Sequence, residues 1–213
     1  MSDETRVRFT EEMKGHVGFG IEEPEEGRAA GKSDGTSFMF HLTIETGDID
    51  SFYHEPEHEG TAAGWITCDR LGGRLAVSKG VFNLFVDAGN PGEREMRYRL
   101  FFTDGVGNPL TFVGVKLVKD HRGFDVWTDT STLYSKIVQG HTTAPDPNDA
   151  KIVAAGVLRI LKRDFAKQIT TFRASGPSLR AKARGFAMFL GLFGGRLFQV
   201  YIAEEGEGEE EGR

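Results

Sequence analysis

Hydrophobic and polar residues alternate with a period of two along much of the chain, and the densest stretch runs from Arg97 to Trp127, RYRLFFTDGVGNPLTFVGVKLVKDHRGFDVW. In a strand over 96–103, Met96, Tyr98, Leu100 and Phe102 share one face, and Arg97, Arg99, Phe101 and Thr103 share the other. A strand over 110–119 places Thr111, Val113, Val115 and Leu117 on one side and Leu110, Phe112, Gly114 and Lys116 on the other. Between them, Asp104-Gly105-Val106-Gly107-Asn108-Pro109 supplies residues that reverse a chain, so the pattern predicts a hairpin. Large apolar groups stand on both faces. Such a sheet must be covered twice, by a second sheet, by its own closure or by a helix.

The same reading extends along the chain. It predicts a strand over 9–20 bent at its glycines, a loop over 22–37, and a strand over 38–44. Asp48 caps one helical turn that Pro56 ends, and strands over 60–69 and 74–87 meet through Leu71-Gly72-Gly73. Further strands are expected over 124–128, 132–139 and 152–161, with a loop over 141–150. Asp164 is placed to cap a helix carrying Phe165, Ile169 and Phe172. Gly176-Pro177-Ser178 opens a second helix with Phe186, Phe189, Leu190, Phe193 and Leu197 at helical intervals, after which 197–202 reads as a closing strand. Gly18, Gly64, Gly114 and Gly156 each fall inside a strand-like run, which suits a sheet that curves shut. The expected fold is mainly β: one antiparallel lipocalin-like (calycin-type) barrel over 9–202 with a C-terminal amphipathic helix, and disordered termini over 1–8 and 203–213.

Composition narrows the function. Seventeen phenylalanines predict aromatic packing, and part of the net charge of −6 sits in the tail EEGEGEEEGR. The folded part is thus near neutral and lacks the basic field of a nucleic-acid binder. Cys68 stands alone, so no intramolecular disulfide forms, and MSDETRVRF is neither a signal peptide nor a membrane span; the expected location is cytoplasmic.

Few motifs carry chemistry. His54-Glu55-Pro56-Glu57-His58 matches the zinc-protease pattern HExxH, but the internal proline breaks the helix that would align its histidines. No dinucleotide fingerprint, phosphate loop or nucleophile elbow occurs, so no cofactor is implied. Cys68 beside Asp69 reads as a buried structural thiol rather than a nucleophile. In FDVWTDTSTLY, alternate members of Asp125, Trp127, Asp129, Thr130, Thr132 and Tyr134 point inward if the barrel closes, forming a pocket wall; the plainer account is a strand ended by side-chain turns.

The stretches FTEEMKGHVGFG, GRLAVSKGVFNLFVDAG, MRYRLFFTDGVGNPLTFVGVKLVKD and GFDVWTDTSTLY resemble an uncharacterised domain of large bacterial polypeptides that join a glucose/methanol/choline-type, cholesterol-oxidase-like flavoenzyme to an α/β-hydrolase. The resemblance spans most of 9–202 and brings no catalytic residue with it. It implies an accessory role near sterol or lipid chemistry, with a sterol-oxidase-like partner, and not the oxidase activity itself.

The leading expectation is therefore a non-catalytic barrel with an apolar cavity for a lipid or sterol. Its candidate ligand contacts are Tyr98, Arg99, Phe112, Lys116, Asp125, Trp127, Asp129 and Tyr134, with Arg99 and Lys116 meeting a ligand carboxylate or hydroxyl. The alternative is a small isomerase, cyclase or hydratase using Asp125, Asp129 or Tyr134 as acid or base, and a third account is a filled interaction domain. The run 178–198 also suits a helix lying on a membrane surface through Phe186, Phe189, Leu190 and Phe193, since Arg180, Lys182 and Arg184 sit where a helix dipole disfavours cations. The competing account buries that stripe over a barrel end.

Overall fold

The alternation becomes a closed ring of strands. The computed structural model describes residues 4–77, 79–119, 131–143 and 150–207. The strands are β1 (Arg6–Phe19), β2 (Ser37–Glu45), β3 (Glu59–Cys68), β4 (Gly73–Val77), β5 (Lys79–Asp87), β6 (Glu93–Thr103), β7 (Pro109–Lys119), β8 (Thr132–Gln139), β9 (Ile152–Arg159) and β10 (Arg173–Ser175). Eight of them form an antiparallel barrel in the order β1-β2-β3-β5-β6-β7-β8-β9, closed by β9 pairing β1 from Lys14↔Arg159 to Phe19↔Ala154. Closure removes the exposed strand edges of an open sheet. Among the described residues the α-helices are α1 (Pro24–Ser33), α2 (Ile49–His54), α3 (Lys162–Thr171) and α4 (Leu179–Glu207).

The β6–β7 hairpin keeps one register from Glu93↔Lys119 to Thr103↔Pro109. Its turn is fixed by Asp104, whose carboxylate accepts from Val106 N at 3.0 Å and Asn108 N at 2.8 Å, while Gly107 supplies the left-handed φ of 97°. Asp48 caps α2 as the sequence predicts, accepting from Ser51 N at 3.3 Å.

One edge of β1 explains where the site lies. That edge pairs β10 at Arg6–Arg8 and β9 from Lys14 onward, so residues 9–13 have no strand beside them there among the described residues. The chain fills this window with α3, which lies between β9 and β10 in sequence. Thr10 N donates to Thr171 Oγ1 at 2.8 Å, and Lys14 Nζ meets Asp164 Oδ2 at 3.2 Å. Side chains of α3 thereby reach the barrel interior. α2 and α4 close the same end, where Arg184 of α4 makes a bidentate pair with Asp50 of α2 at 2.6 and 2.8 Å.

The interior is filled by aromatic rings in a continuous column. Phe38 stacks on Phe112 at 5.4 Å, Phe112 meets Phe40 at 5.8 Å, and Phe40 meets Tyr98 at 5.8 Å. Tyr98 contacts Phe82 at 5.0 Å, Phe82 meets Phe9, and Phe9 stacks on Phe172 at 4.9 Å. Phe189 and Phe193 of α4 complete the column, each within 6 Å of Phe9. Offset and edge-on geometries of this kind add to the burial of large apolar area.

Several expectations change. β1 begins at Arg6, not at 9, with Val7 fully buried. Residues 22–37, expected as a loop, contain α1, which lies across β1 and β9 on Gly27 and Gly31; a Cβ there would come within 2.0 Å of Ala155 O and 2.3 Å of Val17 O. The run 74–87 is two strands, since β4 pairs the far end of β3 and β5 its near end. The expected closing strand over 197–202 is helical, because α4 continues to Glu207 and the barrel is already closed by β1 and β9. Asp164 does not cap α3; Leu161 holds that position, and the Asp164 carboxylate pairs with Lys14. The expected strand over 124–128, and residues 1–3 and 208–213 of the expected tails, lie outside the described residues.

Candidate functional site

In a largely apolar barrel, alternation carries the charges of Glu11 and Lys116 inward. Glu11 falls on the β1 face that also carries Phe9, Met13 and Val17, and Lys116 falls on the β7 face of Phe112 and Val118. Both are buried, at 3% and 2% exposed. In the ring, β1 stands opposite β6 and β7, so Glu11 reaches across the interior. Its Oε1 accepts from Lys116 Nζ at 2.6 Å and its Oε2 accepts from the Tyr98 hydroxyl at 2.7 Å. The ammonium also lies 5.2 Å from the centre of the Tyr98 ring. Burial first, then the Glu11 charge and the hydrogen bond to it, push the Tyr98 pKa well above the usual phenol range, so Tyr98 stays a neutral donor.

Beside the cluster is a cavity of about 20 Å³, lined by Glu11, Tyr98, Lys116 and Gln168 on its polar side and by Phe9, Phe82, Met96, Ile160, Phe165 and Phe193 elsewhere. Phe165 and Gln168 come from α3 and Phe193 from α4, so helices and not paired strands make part of the wall. Gln168 is 3% exposed, and its Oε1 has no hydrogen-bond partner among the described residues. A buried acceptor left in this state costs about 1–3 kcal/mol.

The residues expected from sequence divide. Tyr98, Phe112 and Lys116 face the interior, and the structure brings Tyr98 and Lys116 together. Arg99 does not join them. It pairs with Val113 across the hairpin and lines a groove on the outer face with Glu57, Glu95 and Arg97, so it and Lys116 stand on opposite sides of the sheet. Tyr134 is 44% exposed and pairs with Val115 and Val157, again on the outer face. Asp125, Trp127 and Asp129 lie outside the described residues. Glu11 and Gln168 are new, each a polar side chain at an apolar position of its element: Glu11 between Phe9 and Met13, Gln168 between Phe165 and Phe172.

Other candidates resolve as structure. α2 ends at His54, and His58 sits beyond the helix with φ 37°, donating from Nδ1 to Leu84 O at 2.9 Å, so the two histidines share no helical face. Among the described residues no group of three acidic, histidine or cysteine side chains is placed to hold a metal. Cys68 is buried, and burial raises its thiol pKa. Phe189 is fully buried and Phe193 nearly so against the barrel end, while Phe186 and Leu190 are half-buried. No helix among the described residues is long and apolar enough to cross a membrane. No family model, no curated protein and no solved structure matches the chain.

Proposed function

We propose that the barrel is a lipocalin-like binding module for a hydrophobic small molecule of lipid or sterol type, holding the ligand's polar end at Lys116, Tyr98 and Glu11. The observation that supports it is the hydrogen-bonded charge cluster set into an aromatic interior, beside a wall supplied by α3 and α4. A buried ion pair is a poor way to stabilise a fold, because apolar residues of the same volume serve as well or better. Polar groups placed so are characteristic of sites that orient a ligand. The existing space of about 20 Å³ is far below the roughly 300 Å³ and more that such ligands need, so entry requires the helices to move. Withdrawal of Phe165, Phe189 and Phe193 vacates the interior on the side where residues 9–13 of β1 have no strand neighbour among the described residues. The same motion bares the phenylalanine stripe of α4, which suits exchange at a membrane surface or with a sterol-oxidase-like partner.

Acid–base catalysis on a hydrophobic substrate is the second reading, favoured by a carboxylate and a neutral phenol meeting in one cavity. Glu11 and Tyr98 then replace the acid and base expected at Asp125, Asp129 or Tyr134. Nile red titration, competed with cholesterol and oleic acid, tests the binding reading. Saturable one-to-one binding, weakened at least tenfold by Lys116→Met, is expected. Absence of saturable binding overturns the reading and leaves a filled interaction domain.

A further inference from the structure

We infer that the polar end of this cavity selects a neutral hydroxyl over a carboxylate, so that the ligand class is a long-chain or polycyclic alcohol and not a fatty or sterol acid. The inference rests on the binding reading above and makes it specific.

Charge comes first. The Lys116 ammonium is already matched by the Glu11 carboxylate at 2.6 Å, and the third member, Tyr98, is neutral. A ligand carboxylate would therefore add a second negative charge to a buried site where the Lys116 cation is already engaged. Desolvating it without a counter-charge is strongly unfavourable. A hydroxyl brings no net charge. Hydrogen bonding points the same way. Gln168 Oε1 is an acceptor without a donor among the described residues, and it lines the cavity with Lys116, whose ammonium has three N–H groups and, among those residues, one carboxylate partner. The group that fits must donate to Gln168 and accept from Lys116, which a hydroxyl does and a carboxylate cannot. Size agrees, since about 20 Å³ exceeds the roughly 10–15 Å³ that one water-sized group requires. The hydroxyl of an alcohol meets these terms.

Hexadecanol and palmitate, one neutral and one ionised at pH 8 with the same chain length, provide the test as competitors for bound Nile red. On the wild-type protein hexadecanol is expected to displace the dye at concentrations at least tenfold below palmitate. Glu11→Gln keeps the shape of the side chain but leaves Lys116 without its counter-charge, and it should reverse the order. Gln168→Met should weaken hexadecanol about tenfold and leave palmitate unchanged. If neither competitor displaces the dye from the wild-type protein, the binding reading itself fails. If palmitate competes as well as hexadecanol or better, the barrel binds lipids but the hydroxyl assignment is wrong.

Discussion

Breaking the Lys116–Glu11 pair from one side strands a charge in the core, whereas removing both partners does not. Lys116→Met is expected to cost roughly 3–5 kcal/mol in urea unfolding, and Glu11→Leu combined with Lys116→Met should recover most of that loss. Tyr98 gives an alkaline signature. Its pKa is higher folded than unfolded, so its contribution is complete below the unfolded value of about 10 and declines as pH rises beyond it. Stability should therefore fall above pH 10 more steeply in the wild type than in Tyr98→Phe. The phenolate absorbance separating the two proteins should emerge only on unfolding. At this scale the sequence was half readable. Tyr98 and Lys116 stood on apolar strand faces, but pairing Arg99 with Lys116 required an odd register, and the turn closed by Asp104 sets an even one that sends Arg99 outward. Glu11 carried a visible signal, a carboxylate between Phe9 and Met13, yet its partners lie 87 and 105 residues away and no local pattern names them.

Among the elements, those defined by alternation were legible and those defined by contact were not. The β6–β7 hairpin follows its period-two pattern closely, and β8 and β9 fall within two residues of their expected ranges. α1 was hidden because two glycines in ten residues lower helix propensity and imitate a loop. Their purpose is tertiary: without side chains at Gly27 and Gly31 the helix rests directly on the backbones of β9 and β1. Gly31→Ala, which would improve an isolated helix, should instead destabilise the protein by about 1–3 kcal/mol in thermal or urea unfolding, because the new methyl group meets Val17 O. α4 offers a different test. The Arg184–Asp50 pair is exposed, so Arg184→Ala should leave the melting temperature nearly unchanged. If α4 moves to admit ligand, the same variant should take up Nile red faster in stopped flow.

Across the whole molecule, the barrel depends on one seam between its first and last strands, and every other ring contact joins strands closer in sequence. Closing so distant a pair late is the ordinary consequence of loop entropy. In pulsed hydrogen exchange during refolding, amides over 14–19 and 154–159 should gain protection after those of the β6–β7 hairpin. The seam also matters while the chain is being synthesised. Lys14 and its partner Arg159 are roughly 145 residues apart, and at about 5–20 residues per second the ribosome needs roughly 7–30 s to make the second after the first. Throughout that interval β1 holds Phe9, Met13 and Val17 beside an unpaired edge, with neither β9 nor α3 yet made. A nascent chain stalled near residue 150 is therefore a sticky species that the finished protein is not, and in chaperone-free cell-free translation it should aggregate or bind added holdase far more than the full-length chain.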